Sequence, residues 1–447
     1  MYAVIFLLLL ACGGAAGAQT FVVDVTGDAV DESPGDGICA IAGVSGACTL
    51  RAAMQEANAL SGQQKIELGA GIHPIAIGGD DEDSAATGDF DVTDDVVIEG
   101  QSAAASIVDG ESFDRVFDVA DGVFVTIADL TIRGGLVQGE DGAGLRIGDD
   151  ALVALARVTF EDNRGYPIDC GPFGPCGGSG GAISIRAATT STLLVYQSRF
   201  AANTGGGVID LWNAIAQLVD VTIEEHVDPV LAATHSEVTI DRCSIHGNRS
   251  AGSILHLADD ESTRIQNSTI SRNFAVRSIV SAPGPITMRN VTMAENGSDY
   301  GLDVTGALEI QNSVVSDYLM LEQCHAGTGG SVVSLGHNVD YDGSCTSLGS
   351  DRTLPDPMLG PLADNGGGTE SHLPLPGSPL IDAAEDADCP VLDQRREERP
   401  QDGDGDGSAH CDIGALEVPE PAHAALLAMS ALALAVLAHA RRNRSPG

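Results

Sequence analysis

Eight short segments of this chain resemble one another: DLTI, RVTF, QSRF, DVTI, RCSI, NSTI, NVTM and NSVV. They end at Ile132, Phe160, Phe200, Ile223, Ile245, Ile270, Met293 and Val315, with successive spacings of 28, 40, 23, 22, 25, 23 and 22 residues. A period of 22–25 residues is too short for a helix-pair repeat. The segments are β-branched and alternating, which specifies strands. One strand per period, with Gly and Asn between, describes one coil of a parallel β-helix, so the expected class is all-β.

A second signal shares the period. Three residues after the apolar anchor stand Asn163, Asn203, Asn248, Asn273 and Asn296. Asn tolerates left-handed backbone angles and hydrogen-bonds its own turn, so stacked coils align these residues into an internal ladder at one corner. Four neighbourhoods also read N-x-S/T, but the periodicity makes them turn and strand residues rather than glycan acceptors. The anchor and the residue two before it point to one face, inward. Cys243 takes that earlier position, beside Val158, Val221 and Val291, and reads as a buried apolar thiol.

With 22 basic and 64 acidic residues the formal charge is −42, and Lys65 is the single lysine. Such a surface repels phosphate backbones and anionic lipid headgroups, which excludes nucleic-acid binding and makes cations the natural counter-partners. Residues 1–18 have the pattern of a secretory signal peptide, with an apolar Ala3–Ala11 run and small residues at Ala16-Gly17-Ala18. Leu9-Leu10-Ala11-Cys12 offers a rival lipoprotein reading. Export makes disulfides the natural state of paired cysteines. Neighbouring pairs are Cys39/Cys48, Cys170/Cys176, Cys324/Cys345 and Cys389/Cys411, the second closing a Gly/Pro-rich excursion before Phe200.

A solenoid exposes an open end unless something covers it. In CTLRAAMQEANAL, Leu50, Ala53, Met54, Ala57 and Leu60 form a helical stripe, so residues 19–70 are read as an N-terminal cap pinned by Cys39–Cys48. CTLRAAMQEAN resembles the CSLREA-type motif of exported bacterial β-helix proteins. Residues 346–417, with DPMLGPLADNGGGTESHLPLPGSPLIDAAEDADCP and QDGDGDGSAHCDIGALE, are similar to the choice-of-anchor module of the same proteins. Residues 71–345 resemble polymorphic outer-membrane-protein and pectate-lyase-like repeats. That resemblance implies a right-handed β-helix and surface placement. Within the module, Asp402, Asp404 and Asp406 alternate with glycines as in the first half of a calcium loop. Asp412 is a substitute fourth ligand; the other reading is a flexible acidic turn stapled by Cys389–Cys411.

The tail, residues 418–447, has three parts. Val418-Pro419-Glu420-Pro421 precedes Ala422–Ala440, 19 residues without formal charge, and Arg441, Arg442 and Arg444 follow. At 1.5 Å per residue the apolar run spans about 28 Å, enough for a transmembrane helix with a cytoplasmic basic flank. The order resembles a PEP-CTERM sorting signal, which implies an exosortase-like enzyme as partner and a tail that is processed.

Two functions compete. The first is a non-catalytic exported surface or matrix protein, adhesive and calcium-stabilised, facing a surface polysaccharide or matrix. The alternative is a polysaccharide lyase or glycoside hydrolase, since the same fold class hosts such enzymes. No acid–base cluster is evident on adjacent repeats; Glu224, Glu225 and His226 come nearest, but His226 holds the corner position that Asn takes elsewhere. Aromatic residues make up 4% of the chain, too few for the stacked rings of a typical sugar cleft, which favours the first function.

Overall fold

A computed structural model describes residues 18–44, 46–79, 82–166, 168–169, 175–176, 180–258, 261–317 and 319–420. These residues wind into a parallel β-solenoid. Each coil contributes a strand to each of three faces, as in Leu231–Thr234, Glu237–Asp241 and Ser244–His246. The third face is a twelve-stranded parallel sheet among the described residues. The other two faces are joined into one sheet because Ile183–Tyr196 and Ile209–Val219 run across the corner between them.

The eight anchors read from the sequence are the central residues of third-face strands. They pair in unbroken register from Ile132 and Phe160 through Phe200, Ile223, Ile245, Ile270 and Met293 to Val315, and all are buried. Stacking places like on like: the Phe160 and Phe200 rings lie 5.0 Å apart and nearly parallel. Fully burying a side chain of this size contributes about 1.5–3 kcal/mol, and the coil repeats that contribution at every turn.

Turning a three-sided coil needs left-handed residues. Between the second and third faces they are Asp129, Arg157, Gln197, Asp220, Arg242, Asn267, Asn290 and Asn312, with φ from 46° to 58°. After the third face they are Asp162, Ala202, Glu225, Gly247, Arg272 and Glu295. Each stands one residue before a ladder position, so the expectation that asparagine itself supplies the left-handed turn is corrected. The asparagines are buried and do something else.

Their work is hydrogen bonding between coils. The Asn163 amide donates to Asn203 Oδ1 (3.1 Å), His226 N to Asn248 Oδ1 (3.0 Å), Asn248 N to Asn273 Oδ1 (3.1 Å) and Asn273 N to Asn296 Oδ1 (3.0 Å). Each Asn Nδ2 donates to a main-chain carbonyl of the preceding coil, such as Ile223 O for Asn248. The row ends where Asn296 N donates to Asp317 Oδ1. Every member is both donor and acceptor, which an interior corner requires.

Both ends are covered. Thr49 caps the helix Leu50–Ala59 by accepting from the Ala52 amide. Its apolar stripe lies on the first coils, yet its polar side is buried as well. Glu56 accepts from the Gly35 and Gly37 amides, and Arg51 pairs with Asp28 at 2.6 Å. At the far end Asp342, Ser344, Ser350 and Asp351 accept main-chain amides of Gln323, Cys324, His337 and Asn338, which blunts the last strands as templates for further pairing.

The C-terminal segment runs back along the outside of the third face. Asn312 accepts from the Glu385 amide, Asn290 donates to Asp412 O, Thr269 donates to Gln394, and Arg396 reaches Asp220 at 2.6 Å. The otherwise exposed Thr269, Ser271 and Thr292 are buried beneath it.

Candidate functional site

Three disulfides are present among the described residues: Cys39–Cys48, Cys324–Cys345 and Cys389–Cys411. They fit an oxidising, exported environment. The Cys170–Cys176 pairing lies outside the described residues. Cys243 is a buried free thiol whose pKa burial pushes up, and it donates to the carbonyls of Leu218 and Asp241.

The acidic loop QDGDGDG folds around its own amides. Asp402 accepts from Gly405, Asp406 and Gly407, Asp404 Oδ1 accepts from Asp406, and Asp406 Oδ1 accepts from Ser408. The carboxylates that converge are Asp402, Asp404 and Asp382. Asp406 is outside that trio. Asp412 is too: it is buried, and its two oxygens accept the amides of Asp382 and Val418, so it braces the chain where a fourth ligand was expected.

Glu224, Glu225 and His226 do not form a catalytic group. Glu224 is tied to Arg199 at 2.6 Å, and Glu225 is a left-handed turn residue. His226 is a ladder rung: Nδ1 accepts from the Asn203 amide (3.0 Å) and Nε2 donates to Phe200 O (3.2 Å). Burial lowers its pKa to about 4, so the ring is neutral. Ser271 and His372 are hydrogen-bonded at 2.8 Å, but both are buried where the C-terminal segment, which carries His372, packs on the third face.

A charged groove does open on the first face near the N-terminal end. Phe90–Val92 and Phe117–Val119 pair in register, Phe90 with Phe117, Asp91 with Asp118 and Val92 with Val119. The phenylalanine and valine point into the core, so the aspartates point out. The next outward residue in the row is Arg146, paired with Asp118. Asp89 lies two residues before Asp91, on the same side.

The groove encloses about 440 Å³, and Glu82, Asp83, Asp89, Asp114, Asp118, Glu140 and Asp141 line it with Arg115 and Arg146. Seven carboxylates meet two guanidiniums there, an excess of five negative charges at full ionisation. Arg115 bonds Asp89 Oδ2 (3.0 Å), Asp118 Oδ2 (2.9 Å), Glu140 (3.1 Å) and the Asp141 carbonyl (3.1 Å). Arg146 Nε bonds Asp118 Oδ2 at 2.7 Å. Burial raises Asp89 to about 8 and Asp91 to about 7, and their acidic neighbours add to it. Burial alone pulls Arg146 down, but its bond to Asp118 reverses the effect and holds the guanidinium above its ordinary value.

The helix near the N-terminus builds this groove. Arg51 donates to the carbonyls of Ala85, Asp89 and Gly88, and Gln55 also donates to Ala85 O. Asn58 donates to Asp91 O and accepts from the Thr93 amide. The loop that carries Asp89 and Asp91 is thus fastened at several points to the helix. A signal for the groove is present in the sequence: the tripeptide FDV occurs at 90–92 and again at 117–119.

Of the tail, Val418, Pro419 and Glu420 are described; Pro421, Ala422–Ala440 and Arg441–Arg444 lie outside the described residues, as do the signal segment and Cys12. Among the described residues no helix is long and apolar enough to cross a membrane.

No protein-family model and no curated protein matches the chain. A solved structure that it resembles is the crystal structure of pectate lyase Pel9A, at 16% identity over 91% of this chain and 98% of that one, with a TM-score of 0.46. That likeness says nothing of this chain's chemistry.

Proposed function

We propose that this chain is an exported, non-catalytic surface protein: a stiff acidic rod displayed outside the cell and processed at its tail. The observation that carries this reading is the state of the two arginines in the groove. A lyase needs a basic group free to take a proton, and Arg115 and Arg146 are each bound to carboxylates, Arg115 to Asp89 and Asp118 and Arg146 to Asp118, which holds the Arg146 guanidinium above its ordinary value. A groove so rich in negative charge also repels acidic glycans unless a cation intervenes. A polysaccharide lyase is the second reading, favoured by the stacked Asp91, Asp118 and Arg146 on one outer face.

The test is a screen of the mature protein against acidic and neutral glycans with and without calcium. We expect no turnover; cleavage that disappears in Arg115→Ala or Arg146→Ala would establish the lyase. The sorting reading of Val418–Pro421, Ala422–Ala440 and the three arginines predicts mature chains ending near Val418–Pro421 in a host with the sorting enzyme. Calcium at Asp402 and Asp404 stays part of the proposal, with Asp382 completing the set in place of Asp406 and Asp412.

A further inference from the structure

We propose that Asp89, Asp91 and Asp118 form a binding site for a hard divalent cation, calcium by preference, that clamps the loop after the cap helix to the next coil. All three residues are buried, and one oxygen from each lies within 4.8 Å of the others. One oxygen of each already has a protein donor: Asp89 Oδ2 takes Arg115, Asp91 Oδ2 takes the Ala85 amide, and Asp118 Oδ2 takes both arginines. Asp118 is 8% exposed, and its Oδ1 is buried with no hydrogen-bond partner. A buried carboxylate oxygen left without a donor is costly, and a cation is the partner that repays it.

The donor set selects the ion. Three carboxylates and no nitrogen or sulfur favour a hard cation. Calcium accepts six to eight oxygens with loose geometry, and the open groove admits water to complete that number. Magnesium requires a stricter octahedron and sheds its water reluctantly. The scaffold is set in advance, because Arg51, Gln55 and Asn58 hold the main chain on both sides of Asp89 and Asp91. Asp118 comes from the next coil, so an ion shared by the three ties two coils together.

Calorimetric titration of the full mature chain with calcium chloride tests this. We expect a site whose affinity falls at least tenfold in Asp118→Asn and in Asp91→Asn and is unchanged in the double variant Asp402→Asn/Asp404→Asn. A calcium site lost only in the double variant, or no heat attributable to a site, would overturn the proposal. Should the groove variants fail to fold, wild-type crystals soaked in terbium decide: an anomalous peak among the three carboxylates supports the site, and its absence there refutes it.

Discussion

The solenoid stacks side chains in register at two places with opposite results. At the inner corner, Asn163, Asn203, His226, Asn248, Asn273 and Asn296 each give a hydrogen bond and receive one, so every added coil extends a satisfied chain. On the outer first face, Asp91 stacks on Asp118 with Asp89 beside them, and every added carboxylate worsens the others. A parallel stack multiplies whatever the residue does. Amides close on themselves, whereas carboxylates accumulate a charge that arginines only partly answer.

The largest expected effect falls on the fastening between helix and groove. Arg51→Met removes a buried guanidinium from Asp28 and three carbonyls, and should cost about 3–5 kcal/mol in denaturant unfolding. A loss below 1 kcal/mol would mean that the helix does not depend on this contact.

Next is the ladder. Asn248→Ala strips His226 N of its acceptor and leaves Ile223 O without its side-chain donor, at a cost of about 3 kcal/mol. Asn248→Asp should fare no better, because a carboxylate cannot donate onward to Ile223 O.

His226 gives the ladder a pH dependence. Its folded pKa of about 4 lies below the unfolded value near 6.5, so the unfolded chain binds more protons between those pH values. Stability from this residue is therefore full above pH 6.5 and falls as pH drops toward 4, by about 3 kcal/mol in all. His226→Asn restores the neighbours' chemistry and should flatten that slope. An unchanged slope would assign the acid sensitivity elsewhere.

The smallest effect sharpens the contrast. In chelator, Asp91→Asn relieves repulsion while keeping an oxygen for the Ala85 amide, and should raise stability by about 1 kcal/mol. A ladder residue exchanged for its isostere should never stabilise.

How much of this was legible depended on which residues carry the period. The third face announced itself because its anchors are apolar, inward and spaced by 22–25 residues over most of their run. The ladder positions followed, although their role did not: asparagine's tolerance of positive φ suggested a turn, while the turn needed only the residue before it. Cys243 was legible from its place two residues before an anchor. The groove was harder to read: FDV recurs at 90–92 and 117–119, but its aspartates lie on the first face, before the run of anchors begins at Ile132, and a single spacing of 27 residues sets no period. The path of the C-terminal segment was also hidden, since it has no period and its contacts with Thr269, Ser271 and Asn290 span more than 100 residues of sequence.

Amide hydrogen exchange, with and without calcium, tests the contrast most directly. The ladder amides of Asn163, His226, Asn248 and Asn273 should be strongly protected in both conditions, since their acceptors are built into the fold. The amides of Ala85 and Thr93, which belong to the loop around Asp89 and Asp91, should be partly protected by their own acceptors and gain further protection when calcium is added. Ladder amides that exchange as fast as this loop, or a loop indifferent to calcium, would contradict the account.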